Sequence, residues 1–218
     1  RRTYELDDIN IVPSRRTRSS QDVSTAWQLD AYRFEIPVLA HPTDSLVSPE
    51  FAIESGPRVD APWGGQVTAL PLKDSRTGGY ARLRYRDALT VAARLGGKLM
   101  SADEQDKLSK VGIMLKPCTL PDAGLAAKGY KPGSAAMSSL EWANAEDACI
   151  NKQLDALHFD AYTIVNNAGK DWIRGAPAGR AINRGWYDKS SKYGMIQTTG
   201  TAHDDGHTDY SQLTRIVW

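Results

Sequence analysis

Past His158 the chain consists of short extended runs separated by glycine, and this pattern constrains the fold more than any other feature. The runs lie at residues 162–165, 172–173, 181–182, 194–197 and 213–218. Runs of this length between turn residues are typical of strands in an antiparallel sheet. Because helical patterns precede them, we predict an α+β fold in which helices pack on a small antiparallel sheet.

Three helices are predicted ahead of these runs. Apolar residues recur at helical spacing over residues 83–95, including Leu89, and the pattern stops at Gly96-Gly97, which supplies a C-cap. Ser101 and Glu104 have the spacing of a capping box and begin a shorter helix. A capping box at Ser138 and Glu141 begins the third, and its predicted core stripe is Trp142, Ala145, Cys149, Leu154 and Leu157.

One strand is predicted between residue 56 and the first helix. The run 66–72 alternates weakly between apolar and polar residues, and it contains Pro71. Proline lacks the N–H group that an inner strand needs, so we predict an edge strand there.

The balanced charge and moderate polarity of the chain argue against general binding to nucleic acid or insertion into a membrane. The 218 residues are 41% apolar and 24% charged, with a formal net charge of +1, so we expect a folded globular chain without general nucleic-acid binding. No apolar run is long enough for a membrane helix, and no signal-peptide pattern follows the amino terminus. A cytoplasmic or phage-associated location is the expectation. Cys118 and Cys149 lack metal-motif spacing and either pair or remain thiols.

The stretch 200–218 holds the densest cluster of reactive side chains. His203, Asp205, His207 and Asp209 occupy every second position, so an extended backbone would project them to one face. Asp204-Asp205-Gly206 is also ordinary turn chemistry, and Gly206 interrupts the alternation. We therefore rank a proton-handling or structural His207–Asp209 pair above a metal site.

The first functional hypothesis is a hydrolase. His203 or His207 would be a general base oriented by Asp205 or Asp209. Ser211 or Cys149 would be the nucleophile, and Lys170 or backbone amides would stabilise an oxyanion. Trp172, Trp186 and Tyr210 are the predicted substrate-binding residues. A metal version would use His203, His207 and Asp209 as ligands, but no zinc-protease motif, nucleophile elbow or P-loop occurs, so no cofactor or metal is predicted.

The second hypothesis is a binding or structural module of phage or mobile-element origin. Trp63, Trp172, Trp186 and Tyr187 lie near glycines and would stack on sugar rings or contact a partner, or else they anchor the core. In this hypothesis the His/Asp cluster is a hydrogen-bonded corner that holds the last strand. A cleft at the cluster favours the enzyme, and a filled corner favours the module.

The amino-terminal quarter has a pattern of its own. The segments YELDDINIVPSRRTRSS, DVSTAWQLDAYRFEIPVLAHPTD and SPEFAIE, within residues 4–54, resemble the amino-terminal part of actinobacterial IMP dehydrogenase-like proteins, of the IMP dehydrogenase and GMP reductase family. The resemblance implies the lead-in, first strand and first helix of a TIM barrel. It stops after Glu54, and the remaining chain is too short for eight βα units.

Two parts of different origin are therefore predicted. Residues 1–56 form an IMP dehydrogenase-like fragment without a working purine-dehydrogenase site, and residues 57–218 form the α+β domain. A protein partner for residues 1–54 is a third hypothesis, because such a fragment cannot cover its own strand. The second part resembles uncharacterised bacterial and phage proteins through Lys170, Gly185-Trp186, Ile196-Gln197, His203 and Asp209-Tyr210-Ser211.

Overall fold

The structure is a computed structural model. It describes the strands Trp27–Leu29 and Tyr32–Phe34, then residues 52–121, 124, 126, 131 and 135–218. The chain separates into two compact units, Arg1–Leu46 and Val47–Trp218. The predicted boundary near residue 56 separates two parts of different evolutionary origin rather than two compact units, and it stays a prediction. Most of the barrel-like segment, including the helix start at Ser48, lies outside the described residues.

The first unit contains one described hairpin, in which Trp27–Leu29 (β1) pairs antiparallel with Tyr32–Phe34 (β2). In the described part of the second unit the helices are Tyr85–Arg94 (α1), Ala102–Leu108 (α2) and Leu140–Ala156 (α3). Its strands are Ile53–Glu54 (β3), Arg58–Asp60 (β4), Gln66–Thr68 (β5), Lys73–Asp74 (β6), Lys98–Leu99 (β7), Ile113–Met114 (β8), Val165–Asn166 (β9), Lys170–Trp172 (β10), Asn183–Tyr187 (β11), Met195–Gly200 (β12), Gln212–Leu213 (β13) and Ile216–Val217 (β14). The predicted α+β class is confirmed.

Two four-stranded sheets organise this unit, in the orders β12-β11-β10-β13 and β4-β5-β14-β7. Neighbouring strands are antiparallel except for β10 and β13, which are parallel. The run 213–218 was expected to be one strand, but it is divided between β13 in the first sheet and β14 in the second. The buried residues Thr214 and Arg215 carry the chain from one sheet to the other.

One strand prediction is wrong in position. The strand β5 lies between β4 and β14 instead of at an edge. It ends at Thr68, so Pro71 lies outside the hydrogen-bonded ladder. Ile53–Glu54, at the end of the segment that resembles the first strand and helix of a barrel, pairs antiparallel with Lys73–Asp74.

The helices follow their predicted periodicity with local exceptions. The capping box of α2 is confirmed, because Ser101 Oγ accepts from the Glu104 N–H and Glu104 Oε2 accepts from the Ser101 N–H. Leu89 on α1 is 42% exposed, because Val91 faces the core instead. No helix in the described residues is long and apolar enough to cross a membrane.

The third helix begins and packs differently from the prediction. Its N-cap is Ser139, whose side chain accepts from the Trp142 N–H, so no Ser138–Glu141 capping box forms. Its buried face is Trp142, Glu146, Ile150 and Leu154, whereas Leu157 follows the helix and is 49% exposed. An acidic residue therefore occupies a core position of this helix.

A disulfide joins Cys118 to Cys149 of α3 across 31 residues of sequence. The sequence left this pairing open, and the bond removes Cys149 as a nucleophile in this state. Disulfides persist in oxidising compartments. The expected location, cytoplasmic or phage-associated, stays a prediction.

Removing the disulfide should lower the free energy of unfolding by about 2–4 kcal/mol, because a crosslink over a loop of this length restricts the unfolded chain. The measurement is urea unfolding of Cys118→Ser/Cys149→Ser with and without a reductant. The wild type should become as unstable as the double variant on reduction, and the variant should not respond. Equal stability of all four samples would contradict the prediction.

Candidate functional site

The segment after β12 is a turn rather than an extended strand. The Gly206 N–H donates to Asp204 Oδ1 at 2.8 Å, and the His207 N–H donates to the Asp204 carbonyl at 3.2 Å. Of the two alternatives that the sequence left open, the turn is the one observed, and the extended face that would align His203, Asp205, His207 and Asp209 does not form. The turn nevertheless brings His203, His207 and Asp209 together.

Asp209 is the centre of this cluster. Its Oδ2 lies 3.1 Å from Lys170 Nζ, and its Oδ1 accepts from the Ser211 hydroxyl at 2.7 Å and from the Ser211 N–H at 2.9 Å. The parallel pairing of β10 with β13 places Lys170 here, because Lys170 is opposite Gln212 and its N–H donates to the Ser211 carbonyl. Asp209, Lys170 and Ser211 are all buried. This part of the cluster is a filled corner.

Two stacked imidazoles lie at the outer side of the corner. The rings of His203 and His207 are 3.8 Å apart between centroids and 10° from parallel. His207 Nε2 is 3.7 Å from Asp209 Oδ2, which is longer than a hydrogen bond, so this contact is electrostatic. Both imidazoles are partly exposed. They are the members of the cluster that solvent reaches.

The charges of the corner favour an ionised carboxylate. Burial alone would raise the pKa of Asp209, but His207, Lys170 and Ser211 outweigh it and hold that pKa well below its ordinary value. The pKa of His203 is lowered by burial and by the neighbouring His207 and Lys170. Asp209 is therefore ionised at neutral pH.

Aromatic residues form the floor of the corner. Lys170 Nζ lies 5.4 Å from the ring centroid of Trp186, and Tyr210 packs edge-on against Trp142 at 5.0 Å. Trp186 has a positive φ of 55°, an unusual conformation for a large side chain. Asn167 stabilises the next residue by accepting from the Tyr187 N–H and donating to its carbonyl, each at 2.8 Å.

Some predicted site residues lie elsewhere or are inaccessible. Trp172 is fully buried, and its indole N–H donates to the Leu83 carbonyl at 2.8 Å, so it is a core residue rather than a surface that stacks on a ligand. The Asp205 main chain bonds to Gly179 and Arg86, outside the corner. Ser211 is fully buried and donates its hydroxyl to Asp209 rather than to an imidazole. In the described residues no group of three His, Cys, Asp or Glu is arranged to bind a metal.

The sequence analysis missed a second charged cluster, around Arg82. This guanidinium lies 2.8 Å from Glu146 Oε2 and 2.5 Å from Asp147 Oδ1. It also donates to the carbonyls of Tyr80 and Tyr210, at 2.7 and 2.8 Å. The signal for this cluster was Glu146 itself, four residues after Trp142 on the buried face of α3.

Glu146 should make the protein less stable as pH rises. Burial raises the pKa of Glu146 to about 8, although Arg82 opposes the shift. Between its ordinary pKa and about pH 8, the folded state keeps a proton that the unfolded state releases. The contribution of Glu146 to the free energy of unfolding is thus fully present at low pH. It is lost as pH rises through that window, and the free energy of unfolding falls by up to about 1.4 kcal/mol per pH unit.

Urea unfolding of wild type and Glu146→Gln at pH values across the window measures this effect. The glutamine carries no titrating proton, so the variant should lose this part of the pH dependence. The matched control is Asp155→Asn, an exposed acidic position on the same helix, which should keep the wild-type slope. Parallel profiles for wild type and Glu146→Gln would contradict the assignment.

A cavity of about 260 Å³ lies beside both clusters. The segment from Thr208 to Tyr210 forms one wall, and Arg82 and Ser138 are among the other lining residues. That segment is held in place because the Tyr210 N–H donates to the Met137 carbonyl at 2.7 Å and Ser138 Oγ donates to the Thr208 carbonyl at 2.9 Å. The corner and the Arg82 cluster therefore fix the wall of a small open space.

Comparisons with known proteins reach only one segment of the chain. A stretch of 56 residues toward the amino terminus is 88% identical to uncharacterised oxidoreductases of Mycolicibacterium smegmatis, Mycobacterium tuberculosis and Mycobacterium leprae. It covers 26% of this chain and 15% of each relative, so the chain matches only a small part of their length. No family model matches, and no solved structure matches.

Proposed function

We propose that the second unit is a binding module for small hydroxylated ligands such as monosaccharides. The observation that carries the proposal is the cavity of about 260 Å³ beside a filled corner. The corner's carboxylate, ammonium group and serine hydroxyl already bond to one another, and all three residues are buried. The corner therefore supports the cavity wall, and the cavity offers the binding space.

The cavity lining matches a ligand rich in hydroxyl groups. Thr77, Ser138, Ser139 and Thr208 contribute side-chain alcohols, and Asp74 contributes a carboxylate. Alcohols donate and accept, and carboxylates accept from ligand hydroxyls. Thr208 Oγ1 is buried without a hydrogen-bond partner, a state that a ligand hydroxyl would relieve. Leu140, which is 65% exposed, provides an apolar contact for the C–H face of a sugar ring.

Monosaccharide binding should weaken at least about tenfold in Thr208→Val, because the change removes one ligand hydrogen bond of about 1.4 kcal/mol. The free energy of unfolding should not fall, since the buried hydroxyl has no intramolecular hydrogen bond to lose. The measurement is saturation-transfer NMR with free hexoses and inositol. Thr198→Val, at an exposed position outside the cavity, is the control and should bind like wild type. Absence of binding to every probe, or equal affinity of the two variants, would overturn the proposal.

A hydrolase is the second candidate, and the stacked His203 and His207 beside Asp209 favour it. In this version a partly exposed imidazole activates water, since Ser211 is buried and Cys149 is in a disulfide. It predicts that changing Asp209 abolishes an activity while stability stays close to that of the wild type. The phage or mobile-element origin stays a prediction.

The third candidate concerns the amino-terminal segment. Its identity to uncharacterised oxidoreductases accompanies the resemblance to IMP dehydrogenase-like proteins noted in the sequence, and we propose an accessory or fusion role in which the segment docks on such an enzyme. A pull-down with a peptide of residues 1–54 tests this role. Failure of the peptide to retain any IMP dehydrogenase-like protein would remove it.

A further inference from the structure

A second, larger groove lies away from the Asp209 corner and shares no lining residue with its cavity. Its volume is about 640 Å³, within the range of about 300–1,000 Å³ that is usual for ligand sites. One wall is the segment from Met114 to Thr119, and the other is the end of β11, its turn and Ile196 of β12. The space is large enough for several residues of an extended peptide.

Both walls are fixed by bonds within the protein. Gln153 of α3 accepts from the Lys116 N–H at 2.8 Å and donates to the Lys116 carbonyl at 3.0 Å, and the Cys118–Cys149 disulfide anchors the same wall. On the other side, the Asp188 N–H donates to the Gly194 carbonyl at 3.0 Å and closes the β11–β12 turn. A preformed groove loses less conformational entropy on binding than a flexible one.

The lining combines exposed apolar surface with positive charge. Met114 is 43% exposed and Ile196 is 47% exposed, and both line the groove. Lys116 and Lys189 supply two positive charges. The groove's carboxylate, Asp188, accepts from the N–H and the hydroxyl of Ser190 at 2.9 and 2.8 Å. Lys189 is exposed at the groove and can attract the carboxylate of an outside ligand.

The backbone beside the groove favours an extended partner. The strand β12, which contributes Ile196, is at the edge of its sheet. Edge strands are the surface on which extended peptides add main-chain hydrogen bonds, while pockets select their side chains. We propose that this groove binds an extended acidic peptide of a partner protein, with an apolar side chain between Met114 and Ile196 and a flanking carboxylate at Lys189.

Fluorescence anisotropy tests the proposal with a short labelled peptide that alternates glutamate with isoleucine. Two comparison peptides carry lysine in place of glutamate or serine in place of isoleucine. The acidic apolar peptide should bind at least about tenfold more tightly than either one, and Lys189→Glu should remove about the same factor. Ile196→Ser should also weaken binding. Both positions are exposed, so the full chain should fold in each variant.

The matched control is Lys192→Glu, which changes a lysine of the same turn that does not line the groove. It should bind like wild type. Equal binding of the glutamate and lysine peptides, equal loss in Lys189→Glu and Lys192→Glu, or no binding of the acidic peptide would each overturn the proposal. Loss of hexose binding in Thr208→Val concerns the other cavity and leaves this outcome unaffected.

Discussion

Replacing Arg215 by methionine should lower the free energy of unfolding by about 3–5 kcal/mol, because the change leaves a buried carboxylate without its cation. Arg215 is almost fully buried between the two four-stranded sheets, and its Nε lies 3.7 Å from Asp171 Oδ1. Its guanidinium also donates to the carbonyls of Thr68 and Ala69 at 3.1 and 3.0 Å, and to the carbonyl of Val165. One side chain thus bonds to three separate segments.

Urea unfolding of four variants tests this role: Arg215→Met, Asp171→Asn, the two changes together, and Arg180→Met. Arg215→Met/Asp171→Asn should be more stable than the sum of the two single changes implies, because the double change removes both charges of one interacting pair. Arg180→Met is the control, since Arg180 is exposed and donates to the Thr201 carbonyl; it should cost less than about 1 kcal/mol. A loss for Arg215→Met no larger than that of Arg180→Met would contradict the role.

Local sequence patterns predicted the elements of this fold better than their arrangement. The Ser101–Glu104 capping box was predictable because every contact involved lies within one turn of the chain. The division of residues 213–218 between two sheets was not, because it depends on the distant partners Asp171, Thr68 and Val165 that hold Arg215. The sequence could not decide whether Cys118 and Cys149 pair for the same reason, since only the folded chain brings Cys118 next to α3.

The candidate site shows the same limit. The sequence placed Lys170 with His207 and Asp209, and the structure brings these three together. The sequence could not predict which of these side chains solvent or a ligand can reach, and that accessibility decides whether a side chain can take part in catalysis or binding. Ser211 and Trp172 are the polar and aromatic types that active sites use, yet both are fully buried because strand pairing and core packing enclose them. Glu146 was overlooked because an acidic residue on a helix is usually exposed.

Asp209→Asn should lower the free energy of unfolding by about 3–5 kcal/mol, because it leaves the Lys170 ammonium group buried without its carboxylate. A second variant, Lys170→Met/Asp209→Asn, removes both charges and should recover part of the loss. His207→Ala should cost much less, since His207 is partly exposed and 3.7 Å from Asp209.

We propose that the Lys170–Asp209 corner is a structural support for a binding cavity rather than a catalytic centre. The free energy of unfolding of Asp209→Asn, measured in urea at neutral pH beside the wild type, tests this proposal. The structural account predicts a loss of several kcal/mol. An Asp209→Asn protein within about 1 kcal/mol of wild-type stability that has lost a hydrolytic activity of the wild type would contradict it and favour the hydrolase.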